Sequence, residues 1–459
     1  VSIDAMNKGE VVVVEEQPWN AARLIPTSGI NGAEEQERRA TSALLAVMQS
    51  VREFGRVLTS RYGAPNSPLQ TFIEVPFQLG EKKVFPDGLI RARRGQKEWT
   101  ALVEVKTGTN QLATQQLENY LDVAKEHGFD CVLTISNELA PSAGQHPTTV
   151  DKRKLRKVAL HHLSWTEVVT EAVVQKEHRG VADPDQAWIL GELIRYLEHP
   201  RSGALSFEDM GSSWVPIRDA VRARTLRATD PGTLDVVARF DALIRFACLQ
   251  LGRRLGADVV PALTRAEMND PSGRSQRLVH SLVEAGTMAA AIRIPHAVSP
   301  IVVTVDVRSG VVTCHMDVDA PGEGRSTTRV NWLVRQLKKA PENVRLESFA
   351  VRAREGAAEL LATARDNPSS LILDQAKELK SFRVAIQRPL GMKRAQGRGG
   401  FIDSVLDAID ECYRDVGQNL KAWQPAAPKM RDDADVEKDD TVRSGLSSAA
   451  LSSQDIEAS

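Results

Sequence analysis

Pro86-Asp87-Gly88-Leu89-Ile90, followed by Ala101-Leu102-Val103-Glu104-Val105-Lys106, is the stretch whose reading decides the fold. Around it, Thr71–Leu79, Val84–Ala92 and Trp99–Lys106 read as strands, rich in β-branched and apolar residues. Arg93-Arg94-Gly95-Gln96 is a polar turn joining the last two. On a strand, residues two apart share a face. Glu104 and Lys106 therefore project with Leu102, while Ala101, Val103 and Val105 face the other way. A carboxylate and an ammonium at the end of an apolar strand must be paired, metal-bound or solvated in a cleft. Asp87 and Glu104 are roughly equidistant from the turn, so the hairpin brings both acids into one cleft.

Working outward, a long amphipathic helix is expected from about Ala33 to Ser60, with Leu44, Val47, Met48, Val51, Phe54 and Leu58 on one face. Leu112–His127 reads as a helix ended by Gly128, Cys131–Ile135 as a buried strand, and Val158–Leu163 as a further strand leading into a helix from Trp165. The order helix, three strands, helix, strand predicts a mixed sheet with a crossover unit, hence an α/β class. From about Asp185 to Gly286 the pattern is helical: Ala187–Glu198, Leu234–Leu255 and Arg277–Ala285. Strands at Ala290–Pro295, Ile301–Val307, Val311–Val318, Val344–Val351 and Phe382–Gln387 alternate with helices at Val330–Lys339, Gly356–Arg365 and Phe401–Leu420. The expected organisation is an N-terminal extension (1–30), an α/β domain (31–180), a helical region (181–288), a second α/β domain (289–423) and a disordered tail (424–459).

Composition narrows the function classes. The chain has 459 residues, which suggests about three domains. Lys plus Arg number 59 against 60 Asp plus Glu, so a polybasic mode of binding is excluded and any nucleic-acid site is a local patch. No apolar run approaches the roughly 20 residues of a membrane span. The start carries no basic segment before its apolar run Val11–Val14, so no signal peptide is read there. The four cysteines are far apart with no CxxC pair, which indicates neither a zinc site nor a disulfide framework and suits a reducing cytoplasm.

Two carboxylates and a lysine suit a divalent cation and a phosphodiester. Mg²⁺ takes oxygen ligands, one or two of them carboxylates. Pro86-Asp87…Glu104-x-Lys106, in this helix–strand context, resembles the signature of the PD-(D/E)XK nuclease superfamily over about residues 31–170. The resemblance implies a restriction-endonuclease-like αβββαβ core and a cytoplasmic Mg²⁺- or Mn²⁺-dependent hydrolase of nucleic acid, DNA favoured. It implies that Asp87 and Glu104 bind the metal, with the backbone carbonyl of Val105 as a further ligand, and that Lys106 assists the attacking water.

The family often adds a glutamate from the first helix; Glu37 is chosen here over Glu34 and Glu35, because it lies seven residues before Leu44 and eleven before Met48. Gln116 and Tyr120, four apart on one helix face, resemble the Gln-x-x-x-Tyr feature of RecB-like members, which holds nucleic acid near the metals. A homodimer is an expectation, because cutting two strands often takes two active sites. An unidentified protein partner is expected for the C-terminal domain.

Other signals are less pointed. Arg91, Arg93, Arg94 and Lys97 crowd the hairpin, and Lys152–Lys157 forms a second basic run; both read equally as phosphate contacts or as solvated faces. Arg388, Lys393, Arg394 and Arg398 among Gly391, Gly397, Gly399 and Gly400 read as a flexible basic loop before a helix. His161-His162 reads as strand-end structure, and Trp332 as helix core.

Overall fold

The structure is a computed structural model that describes residues 20–21, 33–140, 145–199, 201–204, 207, 209–353, 355–391, 399–425 and 427. Most of 1–30, Lys393, Arg394, Gly397 and Arg398 of the glycine-rich loop, and nearly all of 424–459 lie outside the described residues. The chain is mixed α/β, with two large sheets.

In chain order the N-terminal part runs β1 (Asn20–Ala21), α1 (Ala33–Ser50), α2 (Arg52–Ser60), β2 (Leu69–Ile73), β3 (Phe77–Leu79), β4 (Lys82–Val84), β5 (Gly88–Arg94), β6 (Lys97–Val105), α3 (Thr114–His127), β7 (Cys131–Ser136), β8 (Ala159–Ser164), α4 (Trp165–Val174) and α5 (Pro184–Glu198). Six strands form one sheet in the order β1-β2-β5-β6-β7-β8. The first four are each antiparallel to their neighbours; β7 and β8 run parallel to β6, with α3 as the crossover between β6 and β7.

Strand β6 sits inside the sheet and is buried from Trp99 to its end. Its Ala101, Val103 and Val105 join a core with α1, α2, α4 and α5 on one face. Leu102 joins a second core on the other face, with Leu117, Tyr120, Leu121 and Ala124 of α3. Burying each large apolar side chain stabilises the fold by roughly 1.5–3 kcal/mol, which locks the strand's facing. Local signals set the ends: Gly128 closes α3 in the left-handed conformation at φ 71°, and Ser164 and Glu167 form a capping box at the start of α4.

Two expectations change here. The long first helix breaks at Val51, which takes an extended conformation (φ −99°, ψ 93°). The cause is a corner so tight that a Cβ on Gly55 would stand 2.1 Å from the Met48 carbonyl oxygen. Gly55→Ala is therefore expected to destabilise the protein by about 3 kcal/mol, seen as a lower urea midpoint with an unchanged slope. The stretch expected as one strand, Thr71–Leu79, also divides. Glu74 takes φ 51°, and the chain leaves the sheet to form the separate two-stranded hairpin of β3 and β4.

The C-terminal part contains α6 (Trp214–Ala223), α7 (Thr233–Leu255), β9 (Val260–Pro261), α8 (Arg265–Asn269), α9 (Pro271–Glu284), β10 (Thr287–Arg293), β11 (Ile301–Asp306), β12 (Val311–Asp319), α10 (Ser326–Gln336), β13 (Arg345–Ala350), β14 (Ala357–Leu360), α11 (Leu361–Asp366), β15 (Leu379–Pro389) and α12 (Phe401–Glu411). Its seven strands, ordered β14-β13-β15-β12-β11-β10-β9, pair antiparallel throughout. The helix expected over Gly356–Arg365 begins as strand β14, because Ala357–Leu360 pairs with β13, and only Leu361–Asp366 is helical.

The stretch 181–288 does not form a body of its own. Leu190, Leu193, Ile194 and Leu197 of α5 belong to the N-terminal core, whereas Val236, Phe240, Leu243 and Leu251 of α7 belong to the C-terminal one. The two parts meet where α4 packs on α7, with Arg245 paired to Glu167. Trp332 packs partly buried against the C-terminal core. Among the described residues no helix is long and apolar enough to cross a membrane.

Candidate active site

The register of the β5–β6 hairpin places Gly88 opposite Val103, so Asp87 comes level with Glu104. Asp87 is held twice. Its Oδ2 accepts a hydrogen bond from the Val105 amide at 2.8 Å, and its carbonyl accepts one from the Glu74 amide at 3.1 Å. The left-handed turn at Glu74 that ends β2 thus serves to fix the acid.

Glu104 has no exposed surface. Its Oε1 lies 2.7 Å from the Lys106 Nζ, and Asp87 and Tyr120 are its other polar neighbours. Burial, and next the neighbouring Asp87 carboxylate, push its carboxyl up to about 8. Burial likewise raises Asp87, against the Val105 amide and the Lys106 charge that lower it. For Lys106, burial opposes the charge, but the Glu104 carboxylate, with Asp87 and Glu37, outweighs it and holds the ammonium above its usual range.

Glu37 reaches the same point from α1. Its Oε2 accepts from the Lys106 Nζ at 3.3 Å, while its Oε1 accepts from Asn110 Nδ2 at 2.6 Å and the Thr107 amide at 3.4 Å. Glu35, by contrast, is tied to Arg39 on its own helix. Tyr120 is 3% exposed; its hydroxyl accepts from Gln116 Nε2 at 3.0 Å and donates to the Phe85 carbonyl at 3.1 Å. Burial and then the Glu104 charge raise the Tyr120 phenol, which marks its closeness to that acid. Val105 contributes its amide to Asp87, and its side chain is buried in the core.

Asp87, Glu104, Lys106, Glu37, Gln116 and Tyr120 therefore gather at one end of β6. Arg93 and Arg94 do not. They lie opposite Glu98 and Lys97 at the far tip of the hairpin, six and seven residues past Asp87. At about 3.4 Å per residue that is roughly 20 Å away, too far to touch a phosphate at the acids. In the second basic run, Arg153 pairs with Asp151 and Lys154 with Asp122.

Several supporting residues carried no local signal. Trp165 Nε1 donates to the Lys106 carbonyl at 2.9 Å, from a residue 59 positions away. Asn137 donates to the carbonyls of both Gly108 and Gly203, and Gly108 donates to Gly203, so a strap after α5 is stitched to the loop following Lys106. Gly203 sits at φ 82°, and a Cβ there would stand 2.6 Å from Thr107. On the neighbouring strands, Thr134 lies level with Glu104 and His162. Its hydroxyl meets His162 Nδ1 at 2.8 Å and His146 Nε2 at 2.9 Å. Burial, then His162, pushes the His146 imidazole down to about 4.

The charge balance decides what the cluster can hold. The Asp87 and Glu37 acids and the Glu104 carboxyl, which keeps its proton up to about 8, gather around the Lys106 ammonium, the cation acting on both Asp87 and Glu104. Buried carboxylates without compensating charge are costly, so the site is short of positive charge. The Glu104 carboxyl, buried beside that of Asp87, fits a hard divalent cation, for which oxygen is the preferred donor. The chain matches no protein-family model, no curated protein and no solved structure.

Proposed function

We propose that the chain is a divalent-metal-dependent nuclease that hydrolyses phosphodiester bonds, with DNA as the favoured substrate. The observation that carries this reading is the convergence of Asp87, Glu104 and Lys106 at one strand end, with Glu104 fully buried against Lys106 and Asp87. The strand and helix order supports the likeness to PD-(D/E)XK nucleases. A helix precedes three antiparallel strands, a crossover helix follows β6, and a parallel strand completes the unit.

Asp87 and Glu104 would hold Mg²⁺ or Mn²⁺. Bound there, the cation would activate water and offset charge on the phosphate as a Lewis acid. The protein's own groups do the rest. Lys106 orients the attacking water and stabilises negative charge as it builds on the phosphate oxygens. Glu37, braced by Asn110 and Thr107, positions the Lys106 ammonium. Tyr120 and Gln116 fix the backbone just before Asp87.

The test incubates the full chain with supercoiled plasmid, linear duplex, single-stranded DNA and RNA in Mg²⁺, Mn²⁺ or EDTA, with Asp87→Ala alongside. The expected result is cleavage in metal, none in EDTA, and a loss of at least about 100-fold in the variant, shown folded by circular dichroism. Cleavage of RNA alone would move the substrate to RNA. Neither cleavage nor metal binding by the wild type would favour a nuclease fold used as a binding scaffold.

A further inference from the structure

Phe85 stands immediately before Pro86-Asp87 and is 56% exposed, although it is among the largest apolar side chains of the domain. Single exposed apolar residues are common on protein surfaces. This one differs in where it is fixed. Its carbonyl is held by the buried Tyr120, itself oriented by Gln116. The following proline restricts Phe85 to extended conformations. Its backbone is thus anchored from inside while its ring faces solvent.

The strand leading to it is equally fixed. Phe77, Leu79 and Val84 of the β3–β4 hairpin pack on the α3 side, and the Phe77 ring meets those of His127 and Phe129. With Val84 turned toward that core, alternation puts Lys83 on the opposite side, and the extended chain brings Phe85 there too. Lys82 and Lys83 are both exposed. The Phe85 and Asp87 Cα atoms are no more than about 7 Å apart along the chain, close to the spacing of neighbouring nucleotides in one strand.

A solvent-facing ring on a backbone held about one nucleotide from Asp87, with Lys83 on its side, has the parts of a stacking platform for nucleic acid. Aromatic faces accept any base, and cations beside them track the backbone. In an intact duplex the base faces are covered by their stacked neighbours, so only an unpaired or frayed strand can offer one. We propose that Phe85 stacks the base adjacent to the scissile phosphate and makes the site selective for single-stranded or unpaired DNA. This rests on the nuclease reading and names its substrate class.

The test measures binding of a short single-stranded DNA carrying 2-aminopurine, and of a relaxed, covalently closed circular duplex with no ends or loops, to the full chain with Ca²⁺ in place of Mg²⁺. The wild type is expected to bind the single strand more tightly and to quench the 2-aminopurine. Phe85→Ala should weaken single-strand binding about 5- to 150-fold and lose the quench, since stacking of one base is worth ~1–3 kcal/mol. Phe85→Trp should restore both. The closed duplex should bind equally weakly to all three proteins. Equal single-strand affinity for wild type and Phe85→Ala, or a preference for the closed duplex, would overturn this proposal alone. A wild type that binds no DNA of either kind would overturn it together with the nuclease reading.

Discussion

Glu104→Gln is expected to abolish cleavage and, in the same protein, to raise the melting temperature of the metal-free chain at alkaline pH. Both effects follow from one buried carboxyl. Folding lifts it from an ordinary value near 4.5 to about 8, by burial first and by the Asp87 charge second. Between those values the unfolded chain has released the proton and the folded chain retains it. The stability associated with this group is fully present below about pH 4.5 and is lost as pH rises through about 8. At still higher pH the loss is on the order of 3–5 kcal/mol, because each pK unit is worth 1.36 kcal/mol and the group has no exposed surface to screen it. Glutamine keeps the shape and carries no charge at any pH. Thermal unfolding in EDTA across about pH 5 to 9 should show the wild type falling steadily while the variant changes little. Cleavage in Mg²⁺ should drop by at least about 10³-fold, since the variant lacks an anionic ligand.

Lys106→Ala has the second large effect, with the opposite sign on stability. Its ammonium serves Glu104 at 2.7 Å and Glu37 at 3.3 Å, and its side chain is 14% exposed. Removing it leaves Asp87 and Glu37 without their neighbouring cation while Glu104 stays protonated at neutral pH, and taking one partner from a buried pair costs about 3–5 kcal/mol. The metal-free variant should therefore melt well below the wild type at neutral pH. Mn²⁺ should recover more of that loss than it adds to the wild type, because it replaces the missing positive charge. Cleavage should not recover with it. Loss of a group that stabilises transition-state charge lowers kcat by about 10²–10³-fold. Recovered stability without recovered turnover separates the role of Lys106 in the reaction from its role in the fold.

Much of the site was legible because it rests on short-range rules. Alternation along β6 placed Glu104 with Lys106 and apart from Val103 and Val105. Counting from the Gly95 turn brought Asp87 level with Glu104. Heptad-like spacing from Leu44 and Met48 put Glu37 on the inward side of α1, and the i, i+4 rule joined Gln116 to Tyr120. The mixed α/β class followed from the order of elements.

What escaped is non-local. The break at Val51 depends on the approach of Gly55 to the Met48 carbonyl, which periodicity does not encode. The bend at Glu74 takes a non-glycine residue into the left-handed region, although Pro76, two residues on, is a breaker inside the stretch read as one strand. Trp165 on Lys106, Asn137 on Gly108 and Gly203, and Asn110 on Glu37 join residues far apart in sequence. Arg93 and Arg94, close in sequence to the acids, are carried to the far tip of the hairpin by the rise of a straight strand. The α6 helix, Trp214–Ala223, lies in the stretch read as helical but is not delimited by the pattern, because Pro216 within it obscures the signal.

The most direct measurement is calorimetric titration of the wild-type chain with Mn²⁺ near pH 7, in two buffers of different ionisation enthalpy. A carboxyl that retains its proton to about 8 must surrender it when a cation binds. The expected result is saturable binding with release of close to one proton, the release being lost in Glu104→Gln. Absence of binding heat in both buffers, or Mn²⁺ binding unchanged by Glu104→Gln, would contradict the assignment of Asp87 and Glu104 as the metal site.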